Sequence, residues 1–310
     1  MRVVFFGTPE PAAVALDALL ASRHEVAAAV TQPDRPRGRS GTPQPSPVKV
    51  RALEAGLPVL QPSSPRDEGF AGTLAGFRPQ VCAVVAYGHI LPPEVLAVPL
   101  RGTVNVHFSL LPAYRGAAPV QRAIMAGETE TGVTTFLLEP TVDTGPMLVQ
   151  IRERIDPDDS TGSLLERLAP IGARALVDTL DGLEAGTLEP VEQDPALASP
   201  APKIKPEEGT IDWRRPALEI ADLVRALAPS PGAHSTFREK RIKLWRARPI
   251  DGAAAEPGAV VDAGKDRLVV ATGDGLLEVQ ELQQEGAKRL EASAFVRGHR
   301  PRAGETFGSL

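Results

Sequence analysis

Between residues 3 and 183 the chain alternates short apolar runs with helix-forming stretches, a pattern that few folds can bury. Residues 3–6, 26–30, 57–60, 81–87, 102–108, 133–139 and 148–155 read as strands; 11–22, 47–55, a turn at 92–96 and 162–183 read as helical. The first runs are apolar on both faces, as strands covered by helices on each side must be. Strands separated by helices predict an α/β fold, a doubly wound and mostly parallel sheet. Chemistry in such a sheet gathers at the carboxyl ends of its strands. The first strand-to-helix turn, Gly7-Thr8-Pro9, carries one glycine where a dinucleotide site needs G-x-G-x-x-G. No G-x-x-x-x-G-K-[ST], H-E-x-x-H or G-x-S-x-G occurs, so ATP hydrolysis, zinc proteolysis and α/β-hydrolase chemistry lose support.

One predicted strand departs from the apolar rule. In Thr103-Val104-Asn105-Val106-His107-Phe108 alternate residues share a face, which sets Thr103, Asn105 and His107 together and Val104, Val106 and Phe108 opposite. Asn105 is the only asparagine among 310 residues. A bias of 27 Arg against 7 Lys points to a GC-rich coding sequence as the cause of that scarcity. An amide beside an imidazole near a strand end needs a reason, and a site supplies one. Asp143, in Glu139-Pro-Thr-Val-Asp-Thr-Gly-Pro146, follows the next strand. By itself Asp-Thr-Gly reads as a turn. Near an imidazole a carboxylate favours the charged ring and can relay protons. Amide and imidazolium can donate to a developing oxyanion. Such a set, with no Ser or Cys nucleophile required, suits transfer of an acyl-like group to an amine.

The composition is that of an ordinary globular chain, 42% hydrophobic and 24% charged. The single cysteine, Cys82, sits in an apolar run, which excludes internal disulfides and a cysteine-rich zinc site and fits a reducing compartment. No apolar stretch approaches the ~20 residues of a membrane span. A cytoplasmic location is expected, with no metal and no membrane partner. Charge is uneven: residues 1–202 carry 16 basic and 23 acidic side chains, residues 203–310 carry 18 and 16. That shift marks a boundary near residue 200 and a second part suited to an anionic partner.

The chain resembles the folate-dependent formyltransferases. The resemblance is carried by Asn105-Val-His107-Phe-Ser109-Leu-Leu-Pro112, Tyr114-Arg-Gly-Ala-Ala-Pro-Val-Gln121, Glu130-Thr-Gly-Val-Thr134 and Asp143-Thr-Gly145. Thr31-Gln-Pro-Asp34 and Pro45-Ser-Pro-Val-Lys49 are similar to the branch that formylates methionyl-tRNA. The sequence departs from the family's pattern around the aspartate, where Glu139-Pro-Thr-Val precedes it and Pro146 follows Gly145. The resemblance implies a Rossmann-like catalytic domain over 1–193, a linker over 194–205 and an OB-like β-barrel binding tRNA over 206–310. It implies 10-formyltetrahydrofolate as formyl donor and initiator methionyl-tRNA as acceptor; nothing in the sequence suggests more than a monomer. Asn105, His107 and Asp143 match the family's catalytic residues. Ser109, Leu110, Leu111 and Pro112 match its folate-binding turn, and Tyr87, Gly88, His89, Ile90 and Leu91 its pterin pocket.

Two basic segments have the composition of solvated surface, and the resemblance turns them toward RNA. The loop from Pro33 to Pro47 holds Arg35, Arg37 and Arg39 among five prolines and two glycines. Arg39 matches the family's reader of the weak first base pair at the acceptor end, where unpaired RNA can be read. In the second part, a helix over 217–228 precedes short strands at 242–245, 258–261, 268–271 and 276–282, with a hairpin signal at Gly273-Asp-Gly275. Lys203 and Lys205 open it, and Arg238, Lys240, Arg241, Lys243, Arg246 and Arg248 put six basic residues into eleven. These are expected to meet phosphates. A formyltransferase acting on a small amine, such as glycinamide ribonucleotide or an amino-sugar nucleotide, would need neither the basic loop nor the second domain. A non-catalytic RNA-binding protein would not need the Asn/His/Asp set.

Overall fold

The computed structural model describes residues 1–36, 42–253, 255–264 and 266–308. It resolves into two compact units, Met1–Pro119 with Glu130–Arg154 and Leu165–Pro202, and Val120–Thr129 with Ile155–Leu164 and Lys203–Leu310. The segment expected as a linker over 194–205 is therefore divided. Its first part is bonded into the first unit, through Arg115 N–H to the Ser199 carbonyl and Ala201 N–H to the Arg115 carbonyl.

In chain order the elements of the first part are β1 (Arg2–Gly7), α1 (Glu10–Leu20), β2 (Glu25–Val30), β3 (Arg35–Pro36), β4 (Pro43–Gln44), α2 (Pro47–Glu54), β5 (Val59–Leu60), α3 (Phe70–Gly76), β6 (Val81–Val85), α4 (Pro93–Leu96), β7 (Thr103–His107), α5 (Pro119–Met125), β8 (Glu130–Leu137), β9 (Met147–Arg154) and α6 (Thr161–Ala185). The sheet runs β5-β2-β1-β6-β7-β8-β9. It is parallel through β7 and antiparallel at β7–β8 and β8–β9. Every residue of β6, and all of β1 after Arg2, is buried, the reason these strands read as apolar on both faces. Gly7 ends β1 because a Cβ there would meet Ala12 Cβ at 2.6 Å and the Val85 carbonyl oxygen at 3.0 Å. The lone glycine of the first turn thus serves close packing. The sequence reading missed α3 and α5, each of seven residues.

The second part adds α7 (Ala217–Ala226), β10 (Ala233–Phe237), β11 (Lys240–Ile250), β12 (Val260–Asp262), β13 (Leu268–Ala271), β14 (Leu276–Gln284), β15 (Leu290–Glu291), α8 (Ala292–His299) and β16 (Phe307–Gly308). The sheet order is β12-β13-β14-β11-β10-β16, antiparallel throughout. Its ends meet: Phe307 N–H donates to the Gly258 carbonyl and Val260 N–H to that of Glu305, each at 2.7 Å. The sheet closes into the expected small barrel, which removes its free edges. Ile242, Leu244, Leu268, Leu277, Leu282 and Phe295 fill it. No described helix is long and apolar enough to cross a membrane.

Candidate active site

The strand period places Asn105 and His107 on one face of β7, and the structure opens a cavity of about 600 Å³ over that face. Asn105, His107 and Asp143 all line it, as do Tyr87, Gly88, His89, Ile90 and Leu91 from the loop after β6. It lies at the carboxyl ends of β6 and β7, where an open parallel sheet presents its loops.

His107 is 6% exposed and held on three sides. Phe136, opposite Asn105 across the ladder to β8, meets its ring edge-on at 6.3 Å between centroids. His107 Nε2 lies 2.8 Å from the Tyr114 carbonyl oxygen. A carbonyl can only accept, so Nε2 carries the hydrogen and the neutral ring keeps its lone pair on Nδ1. Nδ1 faces Asp143 Oδ2 at 3.7 Å. That oxygen also accepts the Gly116 N–H at 2.8 Å. Asp143 has a left-handed backbone with φ 52°, and Tyr114 has φ 61°. Such conformations persist only where surrounding bonds hold them. Leu137 N–H donates to the Pro146 carbonyl and closes the base of the Asp143 loop. Gly145 is required there because a Cβ would lie 1.9 Å from the Leu137 oxygen. The Asn105 amide makes no hydrogen bond among the described residues.

The cavity's apolar wall is formed by Val84, Tyr87, Leu91, Leu96 and Leu138, with Val84 the ladder neighbour of Asn105. Ile90 and Val142 line the cavity yet are 59% and 50% exposed. The Tyr87 hydroxyl is buried without a partner among the described residues, and burial pushes its phenol up to about 12. It stays a neutral donor. Apolar faces beside a few polar groups fit a flat, partly polar ring.

Ser109, Leu110, Leu111 and Pro112 are not on this wall. They form a turn whose polar groups are spent internally: Ser109 Oγ donates to the Ala113 carbonyl, Leu111 N–H to Thr134 Oγ1, and Gln150 Nε2 to the Leu111 carbonyl. Residue-type reasoning also missed the Tyr114 carbonyl and the Gly116 N–H, because backbone groups leave no signature in composition. The Tyr114-Arg-Gly-Ala-Ala string that carried the resemblance was their only trace.

The basic candidates divide by what they already hold. Arg35 is exposed in the short ladder of β3 and β4. The ends of that basic loop are tied by Asp34, which accepts from Lys49 Nζ at 2.7 Å and Gln61 Nε2 at 2.8 Å. The Lys49 bond first, then that of Gln61, holds the Asp34 carboxyl below its usual range. Arg37 and Arg39 lie outside the described residues. Lys203, Lys205, Lys240 and Arg241 are exposed. Arg238 is committed elsewhere, bonded to both Glu305 oxygens and to the His299 carbonyl. Arg246 pairs with Glu291 and Arg248 with Glu278. Arg241 and Lys243 line a polar cleft of about 400 Å³ with His234, Gln283 and Gln284, and Lys243 Nζ donates to the Pro231 carbonyl at 2.6 Å.

His24, Asp181 and Glu184 converge, with potential ligand atoms within 4.8 Å of one another. Arg23 and the terminal amine already occupy the carboxylates, with Arg23 at 2.6 Å from Asp181 and the amine at 3.1 Å from Glu184. Two halves of the chain meet there, so spacing could not reveal it.

Residues 1–180 match the formyl transferase family and residues 203–300 the formyl transferase C-terminal domain. The methionyl-tRNA formyltransferase of Streptomyces coelicolor is 49% identical over 310 residues, covering 99% of this chain and 100% of that protein. That of Moorella thermoacetica is 47% identical over 311 residues, covering 100% of both. An N-formyltransferase from Helicobacter canadensis, solved with folinic acid and dTDP-3-aminofucose, superposes with a TM-score of 0.67 at 16% identity, covering 94% of this chain and 100% of that one.

Proposed function

This chain belongs to the formyl transferase family, and on that premise we propose that it moves a formyl group from 10-formyltetrahydrofolate to the amino group of initiator methionyl-tRNA. The observation that carries the reading is the meeting of Asn105, His107 and Asp143 on one cavity, in a chain nearly half identical over its full length to methionyl-tRNA formyltransferases. Bound in that cavity, the folate supplies an electrophilic formyl carbon on nitrogen. The apolar wall from Val84 to Leu96 would take its ring, with Tyr87 and the loop to Leu91 beside it.

The chain's own groups would then act in order. Asn105 has a free amide that can donate to the formyl oxygen as it gains charge on attack by the neutral amine. His107 has its Nε2 hydrogen committed to Tyr114, so only Nδ1 can serve the reaction. Once protonated, Nδ1 donates into the cavity, and the Asp143 carboxylate at 3.7 Å compensates the ring's charge. The same pair can collect the amine's proton and return it to the departing nitrogen. The Gly116 N–H keeps Asp143 facing the ring throughout. Lys203, Lys205, Lys240, Arg241 and Lys243, with Arg35 at the basic loop, would contact tRNA phosphates; Arg238 leaves this set because Glu305 holds it.

Formylation of charged initiator against elongator methionine tRNA, with 10-formyltetrahydrofolate as donor, tests the reading. Equal rates on both tRNAs, or transfer only to a free small amine, would refute it.

A further inference from the structure

Asp143 sits in a left-handed conformation within a loop of mostly exposed or half-buried residues, so something outside the loop must hold it. The holder is Gln193, in the chain that follows α6, 8% exposed and 50 residues further on. Its Nε2 donates to the Asp143 carbonyl at 2.9 Å and to the Gly145 carbonyl at 2.7 Å. Its Oε1 accepts from Arg115 Nε at 3.0 Å and from Arg115 Nη2 at 2.7 Å. Both amide hydrogens and both oxygen lone pairs are thereby used.

The contacts on either side make this a brace. Val191 exchanges both backbone bonds with Met147, each at 2.8 Å, just past the Asp143 loop. Ser199 Oγ accepts the Tyr114 N–H at 2.9 Å, next to the carbonyl that fixes His107. Arg115 lies between Tyr114, which orients the imidazole, and Gly116, which orients the carboxylate. Gln193 does not line the cavity, and it reaches Asp143 through the backbone carbonyl, not the carboxylate.

We propose that Gln193 is a positioning residue for the reaction: with Arg115 it locks the Asp143 loop to the segment carrying Tyr114 and Gly116, and so sets how the carboxylate faces His107 Nδ1. The inference rests on the role given to Asp143 in the proposed formyl transfer.

The test uses the full-length enzyme, with 10-formyltetrahydrofolate and initiator methionyl-tRNA. Gln193→Met keeps the side chain's length and loses all four bonds; Gln193→Glu keeps an acceptor for Arg115 but sets a carboxylate against two carbonyls. Both are expected to lower kcat roughly tenfold to a hundredfold, the scale of a small misplacement at the chemistry, with both KM values within about threefold. In an Asp143→Asn background, Gln193→Met is expected to cost little more, because the group it positions has already gone. Full turnover in Gln193→Glu, a loss carried in KM, or an additive loss in the double variant would overturn the inference while leaving the reaction intact. Full turnover in Asp143→Asn alone would overturn the assignment beneath it, and the inference with it. Should Gln193→Met fail to fold, Arg115→Met carries the same comparison with a smaller loss, since Gln193 then keeps its two donor bonds.

Discussion

The backbone carbonyl of Tyr114 takes the Nε2 hydrogen of His107 at 2.8 Å, which leaves Nδ1 as the only ring nitrogen free to serve both Asp143 and a substrate. The imidazole is thus given one working face. Mutations that keep the ring but change what meets Nδ1 should affect turnover before they affect folding.

Asn105→Ala is expected to fold normally and lose roughly 10²–10³ in turnover, the cost of one oxyanion donor. Asp143→Ala is expected to lose roughly 10²–10⁴, the worth of a positioned proton transfer. Single-turnover formylation with both substrates saturating reads this directly. Near-native rates in either variant would remove that residue from the chemistry.

Arg241→Ala with Lys243→Ala should weaken tRNA binding and flatten its salt dependence by roughly 1 slope unit for each phosphate left without its cation. Arg238→Ala should leave the slope unchanged and lower the melting temperature, because it releases Glu305 and the His299 carbonyl. Titrations at several salt concentrations separate the two. An unchanged slope in the Arg241/Lys243 variant would refute the phosphate contacts.

Burial pushes the Cys82 thiol up to about 12. Since the thiolate is the reactive form, the native enzyme should resist a disulfide reagent at pH 8 and titrate as one thiol in denaturant. Rapid labelling of the folded protein would contradict its burial.

Acid should destabilise the fold through two histidines. Burial first, then the terminal amine, lowers His24; burial first, then Arg241, lowers His234. The unfolded chain therefore takes up protons before the folded one, so stability present above about pH 6.5 declines as pH falls through the lower folded values. Urea melts at pH 7.5, 6.5 and 5.5 should show the decline, and His24→Asn should reduce it. A flat profile would refute the shifts.

Tyr87→Phe removes a buried hydroxyl that lacks a partner among the described residues. Deleting an unsatisfied polar group is expected to leave stability equal or raised by about 1 kcal/mol. A clear drop in the urea midpoint would show that the hydroxyl is bonded after all.

The sheet, the polar face of β7 and the barrel strands β11 to β14 were legible because side-chain periodicity is local: period 2 put Asn105 with His107, and continuous apolar runs marked strands covered on both faces, whereas β10, β15 and β16 were not read. The short helices α3 and α5 escaped because seven residues give too few turns for a periodic signal. A cysteine in an apolar run and a lone glycine in the first turn likewise declared themselves without neighbours. What tertiary structure alone decided is which distant groups meet. Asp143 reaches His107 across 36 positions, Gln193 reaches Asp143 across 50, and Arg238 is claimed by Glu305 across 67. The roles of the Tyr114 carbonyl and the Gly116 N–H belong to the same class, since every residue but proline carries both groups. A hydrogen bond is satisfied by whichever donor the folded loops bring within about 3 Å, and that choice depends on packing that no local pattern records.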